Sequence, residues 1–198
     1  MDARVHNLLY DNPRLYDIVF PDAGETELAM CRTAFSRWLA APPQSALDLG
    51  CGTAMNLERT FATFAAHAHP GTLLLFDLLN ARCYLEGDGF QERVDGKVDT
   101  PEFSATTVSI HTLDRDARLL ARTRTWRIPG QPDVVDHAEY RLIYPEEARR
   151  LAEGAGFEWL AGYDNREFRE SGLTGTIKAT PDCAGMHGRK LYAFARKT

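Results

Sequence analysis

Long apolar runs are missing from this 198-residue chain. Its most apolar stretch, Leu73 to Leu79, is broken by Asp77 and falls far short of the roughly 20 residues that cross a bilayer. The opening "MDARVHNLLYDN" is polar and has no apolar signal-peptide core. An excess of basic residues is missing as well. Lys and Arg number 23 against 28 Asp and Glu, a net charge of -5, which argues against a broad nucleic-acid-binding surface. Cysteine is scarce: four residues, at 31, 51, 83 and 183, with no C-x-x-C pair and no histidine cluster in zinc order. Reduced thiols, a cytoplasmic location and no metal are the expectations. His67 and His69 are two apart and do not share a helical face. Internal repeats and low-complexity segments are absent.

The residues that are present suit one α/β domain with a real core: 44% are hydrophobic and 26% charged. Residues 1–20 read as a short entry helix or turn carrying Tyr10, Tyr16 and Phe20. Thr26 to Ala40 has helical spacing and ends at Pro42-Pro43. Ser45 to Leu49 reads as a short buried strand followed by a glycine turn. Leu57 to Ala68 reads as a helix stopped by Pro70-Gly71. Thr72 to Leu78 is a continuous apolar strand, of the kind buried on both faces of a parallel sheet.

Residues 81–104 are polar and Gly-rich and show no periodicity. Three β-type runs follow, Thr106 to Leu113, Ala117 to Ile128 and Val134 to Tyr144, separated by turn residues. They predict an antiparallel meander. Pro145 opens a helix whose first turn carries Glu146 and Glu147, and Gly156 ends it. Phe157 to Tyr163 and Lys190 to Arg196 read as the last strands, joined by a long Gly-rich stretch.

The chemistry is concentrated in "ALDLGCGT". A buried strand ends in glycines, which let a ligand approach the backbone closely. Ligands of open α/β sheets lie outside the carboxyl ends of the strands, and the amides that follow can hold an anionic group. The octet resembles motif I of the class I S-adenosylmethionine-dependent methyltransferases. "FAAHAHPGTLLLFDLLN" resembles their helix, turn and fifth strand. "YPEEARRLAEGAGFEWLAGY" resembles their late helix and strand, and "GRKLYAFARKT" their closing antiparallel strand. The meander at 105–144 is similar to the β-rich lid inserted in small-molecule members, including sugar-amine N-methyltransferases.

The resemblance implies a Rossmann-like three-layer fold and S-adenosylmethionine as cofactor. It implies methyl transfer to an amine or hydroxyl of a small molecule. Asp48, Leu49, Gly50, Cys51, Gly52 and Thr53 would hold the cofactor, with Tyr16 closing its pocket. On the third meander strand, His137 and Tyr140 are candidates to reach the acceptor. Alternate residues of a strand share a face, so these two are expected to point opposite ways. The expected partner is a small-molecule acceptor, with neither nucleic acid nor membrane, and the assembly a homodimer. Asn80 and Arg82, just past the fifth-strand equivalent, are candidates to touch substrate, with plain loop polarity as the simpler account.

The sequence also departs from the family. Between Thr53 and Leu57 there is no room for the second strand with its ribose-binding carboxylate, or for the third and fourth strands. Roughly 60–80 residues are absent, judging by about 30 per βαβ unit. Three readings stand: a break in the chain at Thr53–Ala54 or Asn56–Leu57, a genuine deletion in which strands 45–49 and 72–78 pair directly, or a β-rich binding domain. The alternative to an enzyme is a non-catalytic, methyltransferase-like interaction domain.

Overall fold

The computed structural model describes residues 8–9, 11–19, 25–45, 56–164 and 186–198. In chain order the elements are α1 (Pro13–Val19), α2 (Glu25–Trp38), α3 (Leu57–His67), β1 (Leu73–Leu79), α4 (Ala81–Leu85), β2 (Arg93–Asp99), β3 (Ser104–Asp114), β4 (Leu119–Arg127), β5 (Val134–Arg141), α5 (Pro145–Gly154), β6 (Phe157–Asp164) and β7 (Lys190–Lys197). They fall into two compact units. One comprises residues 26–90 and 141–198, the other residues 1–25 and 91–140.

The first unit is built on a sheet in the order β1-β7-β6. β7 is antiparallel to both neighbours, so β1 and β6 run parallel with the closing strand between them. Side chains alternate across a strand, and here both faces are apolar. One face carries Leu74, Phe76, Leu78, Leu191, Ala195 and Phe157, packed on α3 and α5. The other carries Leu73, Leu75, Tyr192, Phe194 and Ala161, packed on Ala34 and Trp38 of α2. Helix, sheet and helix make the three layers that the sequence predicts.

A bulge between Trp159 and Ala161 shifts the register of β6. Edge-to-face contacts link Phe61 to Phe64 and Phe76, and Phe76 to Trp159. Central β7 is buried over Leu191–Ala195, whereas β1 is half-buried throughout, with Asp77 exposed. Position explains the difference. Among the described residues β1 has a paired strand on one side only, and Ile143 bonds its far end alone, through Leu79 and Ala81.

Local signals set the element ends. The Asn56 side chain accepts a hydrogen bond from the amide of Arg59 and so caps α3. The Asn56 carbonyl accepts from the amide of Thr60, the first backbone bond of α3. The break expected at Thr53–Ala54 and residues 46–49 of the strand expected at 45–49 lie outside the described residues. Gly71 (φ 89°) permits the turn into β1, and Gly156 (φ 81°) the exit from α5, a left-handed region that other residues enter at a cost.

The second unit is a four-stranded antiparallel sheet in the order β2-β3-β4-β5. The three expected strands are present, and β2 joins them from the stretch that showed no periodicity. Its inward positions are Val94, Gly96 and Val98, in register with Ser109, Thr107 and Ala105. A Cβ at Gly96 would meet Thr107 Oγ1 at 2.6 Å, so close cross-strand approach requires glycine here. One end of the inner face packs Ala105, Trp126, Val98 and Val134 against Leu15, Tyr16 and Val19 of α1. The third strand is shorter than expected because Leu142 and Ile143 leave the meander. Ile143 instead bridges Asn80 in parallel beside β1.

Candidate functional site

The glycine-turn residues Asp48, Leu49, Gly50, Cys51, Gly52 and Thr53 lie outside the described residues. Among the described residues, the carboxyl end of β1 is the kind of strand end at which open α/β sheets bind ligands. Asn80 there is fully buried. Its side-chain amide donates to the carbonyls of Met186 and Gly188 at 2.9 and 3.0 Å, and its side-chain oxygen accepts from the amide of Arg82 at 3.1 Å. Arg82 pairs with Glu146, bonds the Met186 carbonyl, and lies 5.9 Å from the Tyr144 ring. These two candidates therefore tie α4, α5 and the segment before β7 together. Their polarity is neither that of an exposed loop nor that of a group left over for substrate.

Of the remaining candidates, Tyr16 is half-buried on α1 and packs in the apolar cluster at the end of the meander. His137 is exposed on β5, with Nδ1 3.0 Å from Thr123 Oγ1. Tyr140 is half-buried on the opposite face of that strand, its ring 5.7 Å from the Arg122 guanidinium. The expected opposition of His137 and Tyr140 holds, so a pocket on either face of the meander would see only one of them.

Sequence reasoning missed the polar network on the Tyr140 face. Asp136 is 1% exposed. One of its carboxylate oxygens accepts from Trp126 Nε1 at 2.7 Å, the other from Arg122 at 3.2 Å. Arg124 donates from Nε to Ser109 Oγ at 3.2 Å and lies 5.4 Å from the Trp126 ring. Burial, and after it the neighbouring charge of Arg122, pushes the Arg124 pKa below the usual arginine value. The signal was available in "ARTRTWRI". Arg122, Arg124 and Trp126 alternate on one face, so a buried Trp126 commits both arginines to its side.

Among the described residues no cluster of metal-ligating side chains occurs, and no helix is long and apolar enough to cross a membrane. Cys31 is half-buried on α2 and Cys83 is buried on α4. Between Thr53 and Asp77 the only acidic residue is Glu58, in the first turn of α3. The sequence between the glycine turn and β1 therefore has no strand ending in a carboxylate for a ribose. The described residues do not complete a site for the adenosine half of such a cofactor.

No family model and no curated protein matches the sequence. Solved structures do match. The CcbJ methyltransferase of Streptomyces caelestis is 18% identical at a TM-score of 0.52, with 77% of this chain and 61% of that one covered. An S-adenosylmethionine-dependent methyltransferase of Clostridium acetobutylicum is 11% identical at 0.51, covering 86% and 70%. DesVI of Streptomyces venezuelae is 16% identical at 0.50, covering 77% and 56%. The chain thus spans less than two thirds of the length of CcbJ and of DesVI. The likeness establishes the fold: this chain has the Rossmann-like α/β architecture of S-adenosylmethionine-dependent methyltransferases.

Proposed function

We propose that the protein transfers a methyl group from S-adenosylmethionine to an amine or hydroxyl of a small molecule. The observation that carries this reading is the octet "ALDLGCGT" in a chain whose three-layer sheet ends in the β1-β7-β6 arrangement. The cofactor supplies an activated methyl on a sulfonium. The protein's task is to align the acceptor behind that methyl and exclude water, which takes little acid–base apparatus. In this reading Asp48, Leu49, Gly50, Cys51, Gly52 and Thr53 hold the methionine half. Tyr140, on the half-buried face of β5, and His137, on its exposed face, are the meander's candidates to reach an acceptor. His137 would act as base only for an acceptor reaching the exposed face.

The missing ribose carboxylate favours a second reading, a non-catalytic domain that keeps the fold without the cofactor. Calorimetric titration of S-adenosylhomocysteine into the chain separates the two. Saturable binding that Gly52→Val abolishes, with the melting transition unchanged, supports the enzyme. A branched side chain at that glycine blocks the close approach a ligand needs. Absence of binding to the wild-type chain supports the interaction domain.

A further inference from the structure

Two guanidinium groups share the half-buried face of the meander with one buried carboxylate. Arg122 and Trp126 between them use both oxygens of Asp136, so that aspartate is already balanced by Arg122. Arg124, two residues along the same strand face, has no carboxylate within salt-bridge distance among the described residues. The exposed arginines Arg14, Arg93 and Arg127 each have one, although water would serve them as well. The asymmetry is the reverse of what solvation alone would arrange, because a half-buried charge gains most from a counter-charge. Nε of Arg122 is also buried, with no hydrogen-bond partner among the described residues. His111 lies opposite Arg122 in the β3–β4 register, with Nδ1 2.9 Å from the Gln91 carbonyl.

We propose that Arg122 and Arg124 form an oxyanion site that takes a carboxylate or phosphate group of the acceptor. That the anion belongs to a methyl acceptor rests on the reading above; the site itself does not. The chemistry suits the residues. A guanidinium presents a planar fork of donors that matches two oxygens of one anion. Trp126 and Tyr140 lie against the two guanidinium groups and hold them in place at little entropic cost. Ser109 Oγ engages Arg124 through Nε, which directs the terminal nitrogens away from that hydroxyl.

The test is calorimetric titration of inorganic phosphate, and separately of acetate, into the full chain at low ionic strength. The wild-type chain is expected to bind at least one of them saturably, Arg124→Gln at least tenfold more weakly, and Arg127→Gln as the wild type does. Tighter phosphate binding identifies a phosphorylated acceptor, tighter acetate binding a carboxylated one. No binding of either anion overturns the site. So does equal weakening in Arg127→Gln, or wild-type affinity in Arg124→Gln, since each means that only general surface charge is at work. If Arg124→Gln loses its cooperative melt, Arg124→Lys replaces it. Lysine keeps the charge and loses the fork, so affinity should fall several-fold, and unchanged affinity overturns the site. Titrating S-adenosylhomocysteine into the same samples keeps the two claims apart. Anion binding without cofactor binding removes the methyltransferase reading and leaves the site; the converse removes the site alone.

Discussion

The two sheets of this protein solve the burial problem in opposite ways. The β1-β7-β6 sheet has two apolar faces, each covered by helices. The meander has one inner face, apolar where α1 covers it and polar along Arg122, Arg124, Asp136 and Ser109. The apolar faces of a sheet packed on both sides serve as scaffold, because a charge buried between them and the helices would be desolvated. A sheet whose inner face changes from apolar to ionic has room for recognition. Stability is therefore expected to be concentrated in the first sheet, and specificity in the second.

The largest test of that contrast is Phe61→Ala. Phe61 is 2% exposed and meets both Phe64 and Phe76, so its loss should cost about 3–5 kcal/mol in chemical denaturation. Asn80→Ala comes next. It removes a helix cap and two side-chain donors to carbonyls in one fully buried place, at about 3 kcal/mol. In the meander, Trp126→Phe keeps one aromatic ring, removes the donor to Asp136 and leaves the space of the second indole ring unfilled. The expectation is about 2 kcal/mol, with a weakened anion response. Should Trp126→Phe prove more costly than Phe61→Ala, the division into scaffold and recognition sheet would be wrong.

The smallest effect lies on β2. Hydrogen bonds from Arg93 and Lys97 hold the carboxyl groups of Asp95 and Asp99 below the ordinary aspartate value. A lowered folded-state pKa gives a contribution intact at neutral pH, lost as the pH falls below the ordinary value and through the lowered one. Both pairs are exposed and thus weak. A carboxyl NMR titration should show two depressed midpoints, with the cooperative melt almost unchanged across that range.

How much the sequence disclosed followed the same contrast. Continuous apolar runs announced β1 and β7, the Pro145-Glu146-Glu147 start announced α5, and turn residues announced β3, β4 and β5. β2 was hidden because Gly96 removes the middle apolar position of "RVDGKVD", for the sake of close approach to Thr107. α4 was hidden because five residues are too few to show a period. At the site, the opposite orientations of His137 and Tyr140 were legible from strand alternation alone. The bonding of Asn80 and Arg82 was not, because their partners Met186, Gly188 and Glu146 are remote in sequence. The Arg122–Asp136 pair lies between two strands that each read as ordinary β structure; their charges gain meaning only once Trp126 is known to be buried.

If Asp48 to Thr53 hold a methyl-donor cofactor, hydrogen exchange read by mass spectrometry will register it at once. With saturating S-adenosylhomocysteine, peptides spanning Ala46 to Met55 should exchange at least tenfold more slowly, while those covering β2 should not change. Unaltered exchange across Ala46 to Met55 at saturating ligand would contradict the account.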